Sequence, residues 1–325
     1  MSSPRPAPTV LIERNAAVRR RLERVLLAAT ALEPVLVLES PEQLEALRAA
    51  RPALIACEAQ DASRLVGWLP QELPFSRLLV WTTSNSPGLL RLALEQPRFS
   101  HILGWPGFAS MPRPWELLLV ARRLLGVQAT PPSLRDMVGW GSTVVEWHPK
   151  TSRERDAVVA QVQEHAMRIS GSQRLAERVS ETAHELLMNA MYDAPRDALG
   201  AARYAQDRRQ ELTLETHEVP IFRLCTDGLY LALQSVDPFG ALTRRHVFGG
   251  LVRGLEGAGQ TQADRVLDTS SGGAGLGMLK MYDACSILVA DVEPGRRTEM
   301  TAFWELDANP REMRDMPRSV HFFER

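Results

Sequence analysis

The chain has 325 residues, 45% of them hydrophobic and 24% charged, with a formal net charge of -1. That length suggests about two domains of about 150 residues each. Near-neutral charge gives no support to a general role on nucleic acid or on a membrane surface, and no run of about 18 apolar residues offers a membrane span.

Met1 to Pro8 is rich in Ser and Pro, lacks an apolar signal core and is expected to be a disordered tail. Cys57, Cys225 and Cys285 are far apart and odd in number, so they offer neither a disulfide framework nor a metal spacing. Core thiols in a reducing compartment are expected, and the cytoplasm is the expected location.

Residues 9–127 alternate between strand and helix patterns. Val10–Ile12, Val35–Leu38, Leu54–Cys57, Leu78–Trp81 and His101–Leu103 are short apolar runs, expected as buried strands. Ala16–Thr30 has helical spacing, Pro41–Ala50 reads as a helix opened by Ser40, and Trp115–Leu125 closes the unit as a helix. This alternation predicts a doubly wound parallel sheet of flavodoxin-like type.

The layout resembles the receiver domain of two-component response regulators. That family carries an acidic pair after the first strand, a phosphoacceptor Asp after the third, a hydroxyl after the fourth and a Lys-Pro after the fifth. Here the matching positions are Glu13-Arg14, Glu58, Thr82 or Thr83, and Trp105-Pro106. Acyl phosphate formation needs an aspartate beside a metal held by neighbouring acids. Glu58 is one methylene longer and Arg14 would repel the metal, so the expectation is a pseudo-receiver used for protein contact or dimerisation.

Residues 128–135 contain Ala-Thr-Pro-Pro-Ser and read as a linker. The second domain is expected over 136–307, followed by a C-terminal tail, 308–325, read as peripheral. Within it Thr143–Trp147 is a strand, and a helix capped by Thr151 or Ser152 runs to about Ile169. A second helix runs from Gln173 to about Tyr192. It places Glu181, Glu185 and Asn189 on one face, opposite a core face of Ala183, Leu186, Leu187, Ala190 and Met191. A solvated polar stripe is one reading; a metal and proton-transfer site is the other.

Pro195–Glu211 is polar and Arg-rich with no clear structure. Thr226-Asp227-Gly228 joins two β-rich runs as a hairpin, the second of which runs out at Asp237-Pro238-Phe239-Gly240. Leu242–Leu255 is expected as a helix, and Glu256–Thr269 as a mobile loop. Ser270-Ser271-Gly272-Gly273-Ala274-Gly275-Leu276-Gly277 then leads into another helix. Glycines there let backbone N–H groups crowd an anion at a helix N-terminus, although a flexible loop before a surface helix has the same pattern. Two strands, Ser286–Ala290 and Glu299–Trp304, close the domain.

The order of these pieces resembles the GHKL ATP-binding domain, the family of histidine kinases, Hsp90, gyrase and anti-sigma-factor serine kinases. The fold implied is an α/β sandwich (the Bergerat fold), and the cofactors implied are ATP and Mg²⁺. By this resemblance Asn189 is the metal ligand and Glu185 the catalytic acid. Asp237 binds the adenine amine with Gly240 beside it, although the family's Asp-x-Gly is here Asp-Pro-Phe-Gly. Gly273, Gly275, Leu276 and Gly277 face the phosphates, Thr298 supplies an adenine-side hydroxyl, and Lys280 lies within reach of a phosphate.

Neither His165, followed by Ala-Met, nor His184, inside the helix that carries Asn189 (the family's asparagine box), fits a phosphoacceptor histidine. The compact lead-in instead resembles the anti-sigma-factor type, which phosphorylates Ser or Thr on a partner. Two function classes stay open for a cytoplasmic signalling regulator that acts on a protein partner. One is a kinase in which Glu185 activates the partner hydroxyl. The other is a non-catalytic, nucleotide-gated scaffold. A homodimer is compatible with either.

Overall fold

A computed structural model of the chain describes residues 7–73, 75–105, 113–127, 132–139, 141–197, 199–258, 274–307 and 316–325. The architecture is α/β, with both parallel and antiparallel strand pairing. The chain divides into two compact units. The first is Met1–Ser133 with Asp315–His321, and the second is Leu134–Arg314 with Phe322–Arg325. Among the described residues no helix is long and apolar enough to cross a membrane.

In the first unit the strands are β1 (Thr9–Ile12), β2 (Val35–Leu38), β3 (Leu54–Glu58), β4 (Arg77–Thr82) and β5 (Phe99–Gly104). They pair in parallel in the order β2-β1-β3-β4-β5. The apolar runs seen in the sequence are these strands, and Val10, Leu11, Ile55, Leu79 and Val80 have no exposed surface.

The helices are α1 (Ala16–Ala29), α2 (Ala59–Glu72), α3 (Pro87–Glu95) and α4 (Pro114–Leu124). Asn15 caps α1 by accepting the Ala17 N–H at 2.9 Å, as the side-chain oxygen of an N-cap does. Pro41–Ala50 is a 3₁₀-helix rather than an α-helix. Its Gln43 side chain turns back to accept the Glu39 N–H at 2.7 Å and the Ser40 N–H at 3.2 Å, which tightens the first turn.

The C-terminal residues differ from the peripheral tail expected of them. Ser319–Glu324 forms a strand, β11, and Val320 and His321 pair antiparallel with Ile102 and His101 of β5. Val320 and His321 are buried. His321 Nε2 meets Glu116 Oε1 at 2.7 Å, Arg113 Nη1 donates to Glu116 Oε2 at 3.1 Å, and Ser319 Oγ accepts the Gly104 N–H at 2.9 Å. Burial raises the Glu116 carboxyl, but Arg113 and His321 outweigh it and hold it below the ordinary range. A carboxylate paired in this way is compatible with burial.

The second unit has a sheet of β6 (Thr143–Trp147), β7 (Ile221–Thr226), β8 (Tyr230–Asp237), β9 (Ile287–Glu293) and β10 (Arg297–Glu305). Every pairing in the order β9-β10-β8-β7-β6 is antiparallel. After the single turn α5 (Leu134–Met137), the helices are α6 (Ser152–Ser170), α7 (Gln173–Met188), α8 (Arg244–Ala258) and α9 (Ala274–Ala284).

Thr151 caps α6 and Ser172 caps α7 through their side-chain oxygens. Between them Gly171 takes a φ of +63°, the left-handed geometry that ends a helix cheaply only with glycine. Helix α7 buries Ala183, Leu186 and Leu187 completely, packs against α6 and α9, and lies over β8.

Candidate functional site

Where α7 ends, the chain does not stop turning. Asn189–Asp193 forms one π-helical turn, with the Ala194 N–H donating to the Asn189 carbonyl at 2.9 Å. Such turns widen a helix and often accompany a functional site. Asn189, Ala190, Asp193 and Ala194 form one wall of a cavity of about 390 Å³ in the second unit.

Strands β8 and β10 form the facing wall. Alternate residues of a strand point to the same side, so Ser235 and Asp237 of β8 and Thr298 and Met300 of β10 all line the cavity. The antiparallel register sets Asp237 directly opposite Thr298 and Ser235 opposite Met300. Ala190, Ala194, Leu242 and Met278 add apolar surface to the same cavity.

Asp237 is 6% exposed. Its Oδ1 accepts the Phe239 N–H at 3.0 Å. Burial pushes its carboxyl up to about 6, against smaller downward pulls from the Phe239 N–H and the Thr298 hydroxyl. Thr298 Oγ1 is buried and meets no partner at hydrogen-bond geometry among the described residues, although it lies near enough to Asp237 to lower that carboxyl. A buried hydroxyl without a partner costs about 1–3 kcal/mol. Here it lines a cavity beside a carboxyl with room to accept. This pair can take a ligand group that donates to the acid, next to a flat apolar ring.

The cavity also contains residues that the sequence reading passed over. Arg196, Ala202, Ala205 and Arg208 come from the Arg-rich insertion, and His246 and Arg253 from α8. Arg208 Nε donates to Asp193 Oδ1 at 3.0 Å, its Nη2 also contacts Asp193 Oδ2, and the same Nη2 reaches Asn189 Oδ1 at 3.4 Å. Partial burial and the nearby guanidinium of Arg196 hold His246 below the usual imidazole range. Spacing gave no sign of these residues, because the insertion has no hydrophobic period. The one available signal was its arginine content.

The other predicted positions fall as follows. Glu185 lies on α7 one turn before Asn189, and its Oε1 meets Lys280 Nζ at 3.4 Å. It is not among the cavity-lining residues. Gly277 lies inside α9, where an added Cβ would come within 2.5 Å of Glu185 Oε2, so glycine lets α9 approach the acid. Gly275 also lies in α9, and Leu276 is 49% exposed.

Gly273 and nearly all of the Glu256–Thr269 loop lie outside the described residues. Gly240 has a φ of +59°, and a Cβ there would lie 2.1 Å from the Glu293 carbonyl oxygen. Its place in the fold is a close backbone approach between the end of β8 and the β9–β10 turn.

In the first unit, Glu13 and Glu58 sit at the ends of β1 and β3. Burial raises both carboxyls, and their neighbouring acids raise them further. Asp61, which the sequence reading did not single out, is 4% exposed and takes Arg14 Nη2 at 3.1 Å. Thr82 Oγ1 donates to the Ser84 carbonyl at 2.7 Å, and Trp105 is fully buried. Pro106 lies outside the described residues.

No family model matches the sequence, and no curated protein matches it. Among solved structures, a chain of the crystal structure of the SiaB-SiaC complex from Pseudomonas aeruginosa aligns over 50% of this chain and 88% of its own. The identity is 11% and the TM-score 0.32. At that score nothing about this chain is drawn from the likeness.

Proposed function

We propose that the second unit is a GHKL-like nucleotide-binding domain whose cavity takes an adenine nucleotide, and that the chain is a signalling regulator acting on a protein partner. The observation that carries this reading is the Asp237–Thr298 pair. A buried carboxyl and a buried hydroxyl without a full hydrogen bond sit side by side in a cavity that Ala190, Ala194, Leu242 and Met278 also line, which suits a flat base with an exocyclic amine. The Asn189 end of the cavity, with Arg208, then receives the phosphates. The resemblance read from the sequence assigned the same three residues to one ligand, and they line one cavity.

Of the two function classes, the nucleotide-gated interaction protein is favoured. Glu185 is paired with Lys280 and does not line the cavity, so among the described residues no carboxylate free of an ion pair lines the Asn189 end to activate a hydroxyl. The first unit fits the same reading. Its strand order β2-β1-β3-β4-β5 is that of a receiver-like sheet, and Arg14, where the resemblance expects an acid, is paired with Asp61.

The Mg²⁺ that the family resemblance implies does not fit the donor set as it stands. Asn189 Oδ1 and both oxygens of Asp193 already face the Arg208 guanidinium.

The test is calorimetric titration of the chain with ATP, using wild type and Asp237→Asn. Wild type binds and the variant does not; absence of binding by wild type removes the proposal. If ATP binds, incubation with labelled ATP and candidate partners separates kinase from scaffold. Label on a partner hydroxyl that disappears with Glu185→Gln would restore the kinase reading.

A further inference from the structure

The phosphate end of the cavity has a feature that the asparagine-box resemblance does not account for, and its meaning rests on the nucleotide reading. Asn189 Oδ1 is reached by Arg208 Nη2 at 3.4 Å, and Asp193 grips the same guanidinium through Nε at 3.0 Å and through Nη2. Arg208 Nη1 makes no hydrogen bond among the described residues.

The segment that delivers Arg208 is held at several points. The Tyr192 hydroxyl donates to the Gln210 carbonyl at 3.0 Å. Glu218, with no exposed surface, takes Arg203 at 2.6 Å and the Tyr204 hydroxyl at 3.3 Å. Arg208 is therefore presented by an ordered part of the fold, close to the end of the helix that carries Asn189.

Mg²⁺ requires near-octahedral oxygen ligands at about 2.0–2.1 Å. The amide oxygen expected to serve it faces a guanidinium, and the nearest carboxylate is committed to that same guanidinium. Arginine is always charged, and its planar fork matches phosphate oxygens in pairs. Arg196 and Arg253 line the same cavity, and neither has an ion-pair partner among the described residues. The cavity therefore has its positive charge already built into the chain.

We propose that Arg208 takes the place of the divalent cation at Asn189, so that this cavity binds nucleotide phosphates on guanidinium groups without Mg²⁺. Asp193 orients the guanidinium through Nε, and Nη1 faces the phosphate. The Arg-rich insertion, which has no role in the family resemblance, is then the element that replaces the metal.

The experiment is calorimetric titration of the full chain with ATP, once in EDTA and once in excess Mg²⁺. Wild type binds in EDTA with a Kd within about three-fold of that in Mg²⁺. Arg208→Ala weakens binding in EDTA by about ten-fold or more, and Arg208→Lys, which keeps the charge but not the fork, falls between. Circular dichroism of the unliganded variants checks that they fold, and the wild-type comparison needs no variant.

Wild type that binds only with Mg²⁺ overturns the proposal and leaves the nucleotide reading standing. So does Arg208→Ala that binds in EDTA as tightly as wild type. Binding in neither condition removes the nucleotide reading, and the proposal with it.

Discussion

Replacing Asp237 by Asn should make the unliganded protein more stable and the liganded state inaccessible. The Asp237 carboxyl rises from 3.8 to about 6 because folding buries it. That rise corresponds to about 3 kcal/mol of disfavoured ionisation. Between pH 3.8 and about 6 the folded chain keeps a proton that the unfolded chain has released. Stability present below pH 3.8 is therefore lost as pH rises through 6, and stays lost above it.

Asn has nearly the same shape, keeps an oxygen for the Phe239 N–H and has no charge to bury. The difference between Asp237→Asn and wild type is expected to be near zero at pH 4 and about 2–3 kcal/mol in favour of the variant at pH 7.5. Because the chain divides into two units, one global transition is a poor readout. Hydrogen exchange of β8 and β10 peptides along a urea gradient reports the second unit alone. Other titrating groups are shared by both proteins and cancel in the difference. A difference that does not change with pH, or a variant less stable at pH 7.5, would refute the assignment of strain to this carboxyl.

If Asp237 accepts an amine, ATP should bind at least about 100-fold more tightly than GTP, whose base offers a carbonyl at that point and sets two acceptors face to face. Competition between the two nucleotides measures this. The same contact makes ATP affinity fall by about ten-fold from pH 7 to pH 5, as the carboxyl takes up its proton near 6; titrations at three pH values read it, and a flat profile contradicts it. Thr298→Val removes a hydroxyl that meets no partner at hydrogen-bond geometry but favours the Asp237 charge, so the unliganded protein should change by under about 1 kcal/mol while ATP affinity drops. Gly240→Ala forces a Cβ to within 2.1 Å of a backbone oxygen at a φ of +59° and should cost about 3 kcal/mol or more. Gly277→Ala meets only the end of the Glu185 side chain and should cost under about 1 kcal/mol; exchange of the second unit compares the two.

Local chemistry made much of the fold legible. Thr143–Trp147 and Val35–Leu38 are strands with the bounds their sequences suggest, because β-branched and apolar residues in short runs have few other conformations to choose. Thr151 and Ser172 begin helices where their hydroxyls can cap them. The Asp-Gly turn closes the β7–β8 hairpin, with Asp227 Oδ1 accepting the Tyr230 N–H at 2.7 Å and Gly228 at a φ of +88°. Asn189 stood out by its helical spacing from Glu185 and Asp237 by its place at a strand end before a Pro/Gly turn, whereas Thr298 was singled out only by the family resemblance.

What the sequence alone determined was therefore most of the elements and the faces they bury, though not α2, α3 or β11, since period and capping are properties of neighbouring residues. Only the tertiary structure decided which elements meet. Val320 and His321 find strand β5 some 200 residues away, a pairing whose register no local signal encodes. Arg208 reaches Asn189 and Asp193 from a segment without periodicity, and Arg196 and Arg253 line the same cavity from separate elements. Charge carries no positional code along the chain, so an arginine's partner is set by the folded path and not by its neighbours. For that reason Asp237 and Asn189 were foreseeable, and the arginines that line the same cavity were not.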